Sequence, residues 1–600
     1  MQSRISIAIL CLIIIGGAII RFHRLGVPSY SNDELSAITR AEQPNLSQLI
    51  ERGVRGDGHP AGVQVWLYYY TKWIGTDEFV VRLPFALLGI AAILMAYLVG
   101  AAWFNKTCGL LAAVAIAFLF LPVHHSQLAR PYVPGVLWVL CMAWCLNKMA
   151  QANKPKLIVL IGWSVATVLA LYNHYFSALA AVLIGIAGLF VIHRQQFRGY
   201  LVASGVAVLA FAPHIGVTID QMRMGGLGWL DAPTTQFPAD HVVAIFSDSG
   251  FLLIAALVVV AIHLTQPQVK VYWHRWHTVA ALMFVLPLAI GMTWSLLVKP
   301  VLHHSVLVFT MPFGLMLLFS FFPSDMKYPW LPAVIGSLLS VAVLLGHKKY
   351  FSMLRTEPFK ELVAESSDWL KTYDLDNTLP IASVNSPGYL NFYFRRHGYE
   401  LDFPVTNCCN DQPLSLLDSV VTSDQRPFLL FINMRNPLPE EIEPVILRKY
   451  PMVIERRMIG TSSATLYARE SSAFDDTTGT MRIHITNSGV ESDNEDEFIG
   501  LATVQQIPET AKAFALRATI RTTHAPRNSE VAVSVERAGQ SIFWKTVAIS
   551  NYMKHPLKTA VVYAAGSLPS DRDSGDVLKT FIWNHDRQKV WVDSVDFVLF

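Results

Sequence analysis

Apolar residues run in long unbroken blocks over the first 350 positions and in short alternating runs after them. The long blocks fall near 4–21, 83–103, 108–124, 132–148, 156–173, 176–193, 200–217, 249–265, 278–298, 304–322 and 329–346. Each approaches the length a helix needs to cross ~30 Å of hydrocarbon, so the pattern predicts about eleven transmembrane helices. Between the first two blocks lies a polar loop, 21–82. Leu35, Ile38, Leu46, Leu49 and Ile50 recur at helical spacing there, which predicts a helix from Leu35 to Glu51 lying along the membrane surface. Val63 to Tyr70 is apolar and aromatic, as an interfacial helix would be. From about 350 the pattern changes. Helix-like Phe359–Thr372 alternates with apolar runs such as Pro380–Val384 and Pro427–Ile432, which predicts a small α/β domain over 349–470. A Ser/Thr/Asp/Gly-rich linker at about 471–480 follows. Period-two runs then dominate: Met481–Thr486, Phe514–Thr523, Glu530–Glu536, Ile542–Ile549, Thr559–Ala565, Val577–Trp583 and Val590–Phe600. They predict an antiparallel β-sandwich over 471–600, behind a membrane domain at 1–348.

Composition agrees: 53% of residues are hydrophobic, 15% are charged and mean hydropathy is +0.39. A net charge of +3, with no basic run, gives no reason to expect nucleic acid. Arg4 precedes the first apolar block, but no small-x-small cleavage pattern follows it, so it reads as a retained helix. With the N-terminus cytoplasmic, the inner stretches hold Arg4, Lys106, Lys148, Lys154, Lys156, Arg194, Arg198, Lys270, Arg275 and Lys327. The short outer loops hold only Arg130, Arg223 and Lys299. The positive-inside rule favours that topology, and an odd number of spans then puts the tail outside. Cys11, Cys108, Cys141 and Cys145 sit in apolar blocks and read as small buried hydrophobes. Adjacent Cys408 and Cys409 imply no disulfide framework. A large outer tail without disulfides points to a bacterial inner membrane rather than the endoplasmic reticulum.

That topology brings four polar groups to the outer face. They are the first loop with Ser31-Asn32-Asp33-Glu34 and Arg55-Gly56-Asp57-Gly58-His59-Pro60, then His124 to Tyr132, Asn173-His174-Tyr175, and His303-His304. Taken alone, Asp33 and Glu34 are an ordinary helix start, and His or Tyr at a membrane rim is an ordinary belt residue. Four such groups on one face suggest a site instead. A carboxylate suits general-base work on a hydroxyl or amine. Arg and His suit a phosphate, and aromatic faces suit sugar rings. Together they describe sugar transfer from a lipid phosphate outside the cytoplasm, where no nucleotide sugar is available. No P-loop, dinucleotide fingerprint, internal repeat or zinc-spaced cluster is present. His303 and His304, neighbours on one turn, are poorly placed to share a metal.

The arrangement resembles the C-type superfamily of polytopic membrane glycosyltransferases. It is most similar to the polyprenyl-phosphate-sugar branch with the protein O-mannosyltransferases and lipid A aminoarabinose transferases. The resemblance covers about residues 1–345. It rests on Asp33-Glu34, His59-Pro60, the run Gly75 to Pro84 with Arg82-Leu83-Pro84, Gln127 to Tyr132, and Asn173 to Phe176. It implies Asp33 as catalytic base, with Glu34 as partner or alternative base. It implies His59, with Asp57 beside it, at the donor phosphate. Arg82, Arg130 and Tyr132 would be donor-site residues, and His174 and Tyr175 would line the same cavity. Relatives often carry Arg-Tyr after the Pro-Val that opens a late span. Here Pro300-Val301 is followed by Leu302-His303-His304, so phosphate contact from that segment would rest on histidine. The final sandwich resembles jelly-roll carbohydrate-binding modules through Phe581 to Asn584 and Val590 to Val595.

The implied donor is a polyprenyl-phosphate sugar, and the acceptor is a lipid, protein or glycan. No cofactor is required; a divalent ion at Asp33 and Glu34 stays open. A glycolipid transporter or flippase would instead place charges at the bilayer midplane and show repeated halves. A polymerase or ligase of surface polysaccharide would share the outer site.

Overall fold

The computed structural model describes residues 2–151, 156–224, 230–265, 273–322, 328–354, 357–406, 414–434, 442–469, 482–491, 496–553 and 559–599. The cysteine pair at 408–409, the linker at 471–480 and the basic residues at 154, 270 and 327 lie outside them. The chain divides into two compact units, Met1–Arg355 and Thr356–Phe600.

The first unit is helical. Helices at Arg4–Phe22, Glu78–Trp103, Tyr132–Gln151, Arg194–Arg223 and Arg275–Leu297 are each long and apolar enough to cross a membrane. Two bent pairs, Lys106–Phe118 with Phe120–Ser126 and Phe237–Ile245 with Gly250–Leu264, raise the count to seven. Shorter apolar helices stand at Leu157–Asn173, Tyr175–Val191 and Leu331–His347. Among the described residues five to seven of the eleven expected spans stand out by length and composition; Leu157–Asn173 and Tyr175–Val191 are unbroken helices of 17 residues, and other apolar blocks are interrupted. The block expected at 304–322 is a 3₁₀ turn, His304–Leu307, and a nine-residue helix, Met311–Phe319.

One interruption has a visible cause. At Leu119 the backbone is extended, and the two halves of the bent pair diverge by 55°. A break leaves the last carbonyls of the first half without helical partners. Arg21, fully buried at the end of the first helix, supplies them. Its Nη2 donates to the Ile116 carbonyl at 2.6 Å, its Nη1 to that of Ala117 at 3.0 Å and its Nε to Ser126 Oγ at 3.0 Å. The helices meet closely enough that a Cβ on Gly17 would stand 2.6 Å from Ile93 Cδ1. Cys108 is buried as expected, whereas Cys11 is exposed on the outer flank of the first helix.

The first loop folds against this bundle. The helix expected over 35–51 is two pieces, Asn32–Ala41 and Leu46–Val54, the latter passing from α into π geometry. Pro44 disfavours helix at the residue before it, and Asn45 caps the second piece by accepting from Gln48 N–H at 2.9 Å. The aromatic helix follows at Ala61–Trp73.

The second unit begins with a four-stranded sheet of β1 (378–383), β2 (428–433), β3 (452–459) and β4 (462–468), in the order β1-β2-β4-β3. β1 and β2 are parallel and the rest antiparallel. Eight further strands follow: β5 (482–491), β6 (498–504), β7 (513–522), β8 (530–537), β9 (540–548), β10 (560–567), β11 (577–583) and β12 (590–599). They form two antiparallel sheets, β10-β7-β12-β5 and β6-β11-β8-β9, over one shared apolar core. β6 was not expected: Gly500 interrupts its alternation, and its pairing with β11 shifts register at Thr580/Phe581. The two parts of this unit are tied by charge. Arg448 pairs with Asp418 at 2.6 Å and with Asp596, and Tyr563 donates to Asp418 at 2.8 Å.

Candidate active site

Ser31 caps the helix Asn32–Ala41, accepting from Glu34 N–H at 3.3 Å. Glu34 Oε2 accepts in return from Ser31 N–H at 3.0 Å, a capping box. Adjacent residues on a helix project about 100° apart, so Asp33 and Glu34 face different surroundings. Glu34 turns into the protein and is wholly buried. Its two oxygens accept from Arg82 Nε at 2.9 Å and Nη2 at 2.7 Å, and Oε1 also accepts from Ala129 N–H at 3.0 Å. Arg82 spends its other N–H groups on the carbonyls of Leu25, Pro28 and Ser29. Burial alone would raise the carboxyl pKa, but Arg82 and these donors hold it below the ordinary value.

Asp33 faces the other way, exposed. Its backbone carbonyl accepts from Arg130 Nη1 at 3.2 Å. Arg130 is only 7% exposed, and among the described residues its Nε has no hydrogen-bond partner. No described carboxylate lies within salt-bridge distance of it, although Asp33 is the acidic group that acts on it most strongly. Burial opposes its charge; Asp33, Tyr132 and Asp57 outweigh that and keep it protonated.

The remaining polar clusters close around this pair. Asp57 accepts from Arg40 Nη1 at 2.8 Å and Gly58 N–H at 2.8 Å, and stands 3.3 Å from His59 Nδ1. Although burial opposes it, His59 and then Arg40 push the Asp57 carboxyl well below the usual range. The His59 ring meets that of His174 at 5.0 Å, and His174 meets Tyr132 at 6.0 Å. Tyr132 packs against His125 at 4.2 Å and His303 at 6.4 Å. Burial lowers His303 to about 4, with Asp33 opposing.

Two expected residues lie off this cluster. Tyr175 donates to Gln221, which in turn donates to the His59 carbonyl at 2.9 Å. His304 turns away and stacks on Phe237 at 4.7 Å and His241 at 5.5 Å. Sequence reasoning passed over Arg40, although its position seven residues after Asp33, two helical turns on, was a signal. Nothing in the sequence marked Gln221. Among the described residues no group of three His, Cys, Asp or Glu is placed for a metal. Glu34 has both oxygens engaged, so the acidic pair does not offer two carboxylates to one ion.

Residues 59–217 match the family model described as dolichyl-phosphate-mannose-protein mannosyltransferase, a window holding His59, Arg82, Arg130, Tyr132, His174 and Tyr175. Over that stretch the chain is similar to a family of membrane glycosyltransferases. No curated protein matches it. Among solved structures, ArnT from Cupriavidus metallidurans bound to undecaprenyl phosphate shares 12% identity, over 77% of this chain and 98% of its own, with a TM-score of 0.46. Arabinofuranosyltransferase AftD from Mycobacteria shares 11%, over 100% and 62%, at 0.42. The Archaeoglobus fulgidus oligosaccharyltransferase in its apo form shares 10%, over 95% of each chain, at 0.34.

Proposed function

We propose that the protein transfers a sugar from a polyprenyl-phosphate donor to an acceptor on the outer side of the membrane. The observation that carries this reading is Arg130, a buried cation without a carboxylate partner among the described residues, beside the exposed Asp33. A buried charge normally has a counter-charge, and a donor phosphate would supply one. Asp33 takes the proton of the acceptor hydroxyl or amine as that atom forms its bond to the anomeric carbon. The bond from that carbon to the phosphate oxygen breaks, and its electron pair leaves on the polyprenyl phosphate, whose developing charge Arg130 stabilises. Asp57 and Arg40 hold His59 toward the same phosphate, while Tyr132, His174 and His303 wall the sugar. Glu34 and Arg82 fix the backbone that presents Asp33, a positioning role in place of the catalytic or donor-binding one implied by the resemblance. Tyr175 supports His59 through Gln221.

An apolar cleft of about 290 Å³ suits the isoprenoid tail. It is lined by Leu111, Val114, Phe246, Phe319, Leu331 and Ile335, and its edge at Leu119 lies in the segment leading to His124 and His125. On this reading the N-terminus is cytoplasmic, the second unit extracytoplasmic and the membrane a bacterial inner one. Mass spectrometry of surface glycans and lipids from cells carrying the wild-type protein or Asp33→Asn tests it. One sugar modification should be present in the first and missing in the second. Identical glycans would refute the reading.

A further inference from the structure

The outer face of the sheet β6-β11-β8-β9 carries four aromatic rings that the site above does not use. Phe498 is 55% exposed and Trp544 43% exposed, each on an edge strand, with Phe581 and Trp583 between them on β11. Phe498 lies 5.6 Å from Phe581 and 5.8 Å from Trp583, and Trp544 lies 5.4 and 5.5 Å from the same two rings. Phe581 pairs in register with Gly500 on one side and Ala532 on the other. A Cβ at Gly500 would meet nothing within 4 Å, so the floor beside the rings is open.

Core aromatics lie on the inner faces of a sandwich; a contiguous exposed group of them marks a binding surface. The rim is polar and holds both donors and acceptors. Lys579 pairs with Glu536 at 2.7 Å, and Trp583 Nε1 donates to Glu497 at 3.3 Å. Flat rings with hydrogen-bonding groups of both kinds around them complement a pyranose, which has apolar C–H faces and an equator of hydroxyls. We infer that this face binds a neutral oligosaccharide chain, so that the second unit holds a glycan for the transferase. The choice of a sugar rests on the glycosyltransferase reading; the site itself is separate from Asp33.

The test uses the full chain in nanodiscs without donor, titrated calorimetrically with cellohexaose, mannohexaose and chitohexaose. At least one should bind the wild type. Phe498→Ala/Trp544→Ala should weaken that binding at least about tenfold with an unchanged unfolding temperature, while Trp544→Phe, which keeps a ring face, retains most of it. Asp33→Asn should bind sugar like the wild type, so wild-type transfer by that variant with intact binding would refute the transferase reading alone. The inference is overturned if no probe binds the wild type, or if the double variant binds as well. It is equally overturned if these rings instead mediate self-association or liposome binding.

Discussion

Glu34 and Arg82, 48 positions apart in sequence, form a two-point ion pair at 2.9 and 2.7 Å with almost no exposure of either side chain. The pair joins the helix that carries Asp33 to the start of the span Glu78–Trp103. Removing one partner leaves a buried charge uncompensated, which costs about 3–5 kcal/mol. Glu34→Ala and Arg82→Ala should each lower the unfolding temperature in detergent. The joint change Glu34→Gln/Arg82→Met should be milder than either. Unchanged unfolding of the single variants would show that the pair does not hold the loop.

Arg130→Ala should leave folding near wild type, since among the described residues its guanidinium makes one hydrogen bond, to the Asp33 carbonyl. Loss of a group that stabilises leaving-phosphate charge should reduce kcat/KM about 10²–10³-fold. Arg130→Lys should recover little, because an ammonium lacks the planar fork. Steady-state kinetics with a short-chain polyprenyl-phosphate sugar measures both.

Asp57 binds Arg40 and His59 together. Asp57→Asn removes charge-assisted hydrogen bonds of about 1.5–3 kcal/mol, so KM for the donor should rise roughly ten- to a hundredfold. An unchanged donor KM would take His59 out of the phosphate site.

Burial holds His303 at about 4, below its ordinary 6.5. The unfolded chain therefore takes up the proton first as pH falls, and stability is lost between about pH 6.5 and 4. Glu34 and Asp57 have depressed folded-state pKa values. Their contribution is present above the ordinary carboxylate range and is lost below it. The unfolding temperature should fall from pH 7 to pH 5, and His303→Asn should flatten that part of the curve. A flat wild-type profile would contradict the assignment.

Much of this was legible in the chain. Uninterrupted apolar blocks located the helices, and period-two runs located seven of the eight strands that follow β4. The clusters that meet around Tyr132 stood out because they share one predicted face. What stayed hidden depends on tertiary partners. Hydropathy does not show a break at Leu119 that a buried Arg21, 95 positions away from the carbonyl it satisfies, makes tolerable. Nor does it separate Asp33 from Glu34. Their difference comes from the 100° step along a helix and from Arg82, which lies far along the chain. Pro44 did announce the split of the loop helix, but the spacing of apolar residues ran through it.

The central claim is that Asp33 accepts the acceptor's proton. It is tested most directly by transfer of a radiolabelled sugar from polyprenyl phosphate, using purified wild type and Asp33→Asn in nanodiscs at matched unfolding temperature. The variant should lose about 10²–10⁴-fold in kcat while the donor KM changes little. Transfer at the wild-type rate by Asp33→Asn would contradict it.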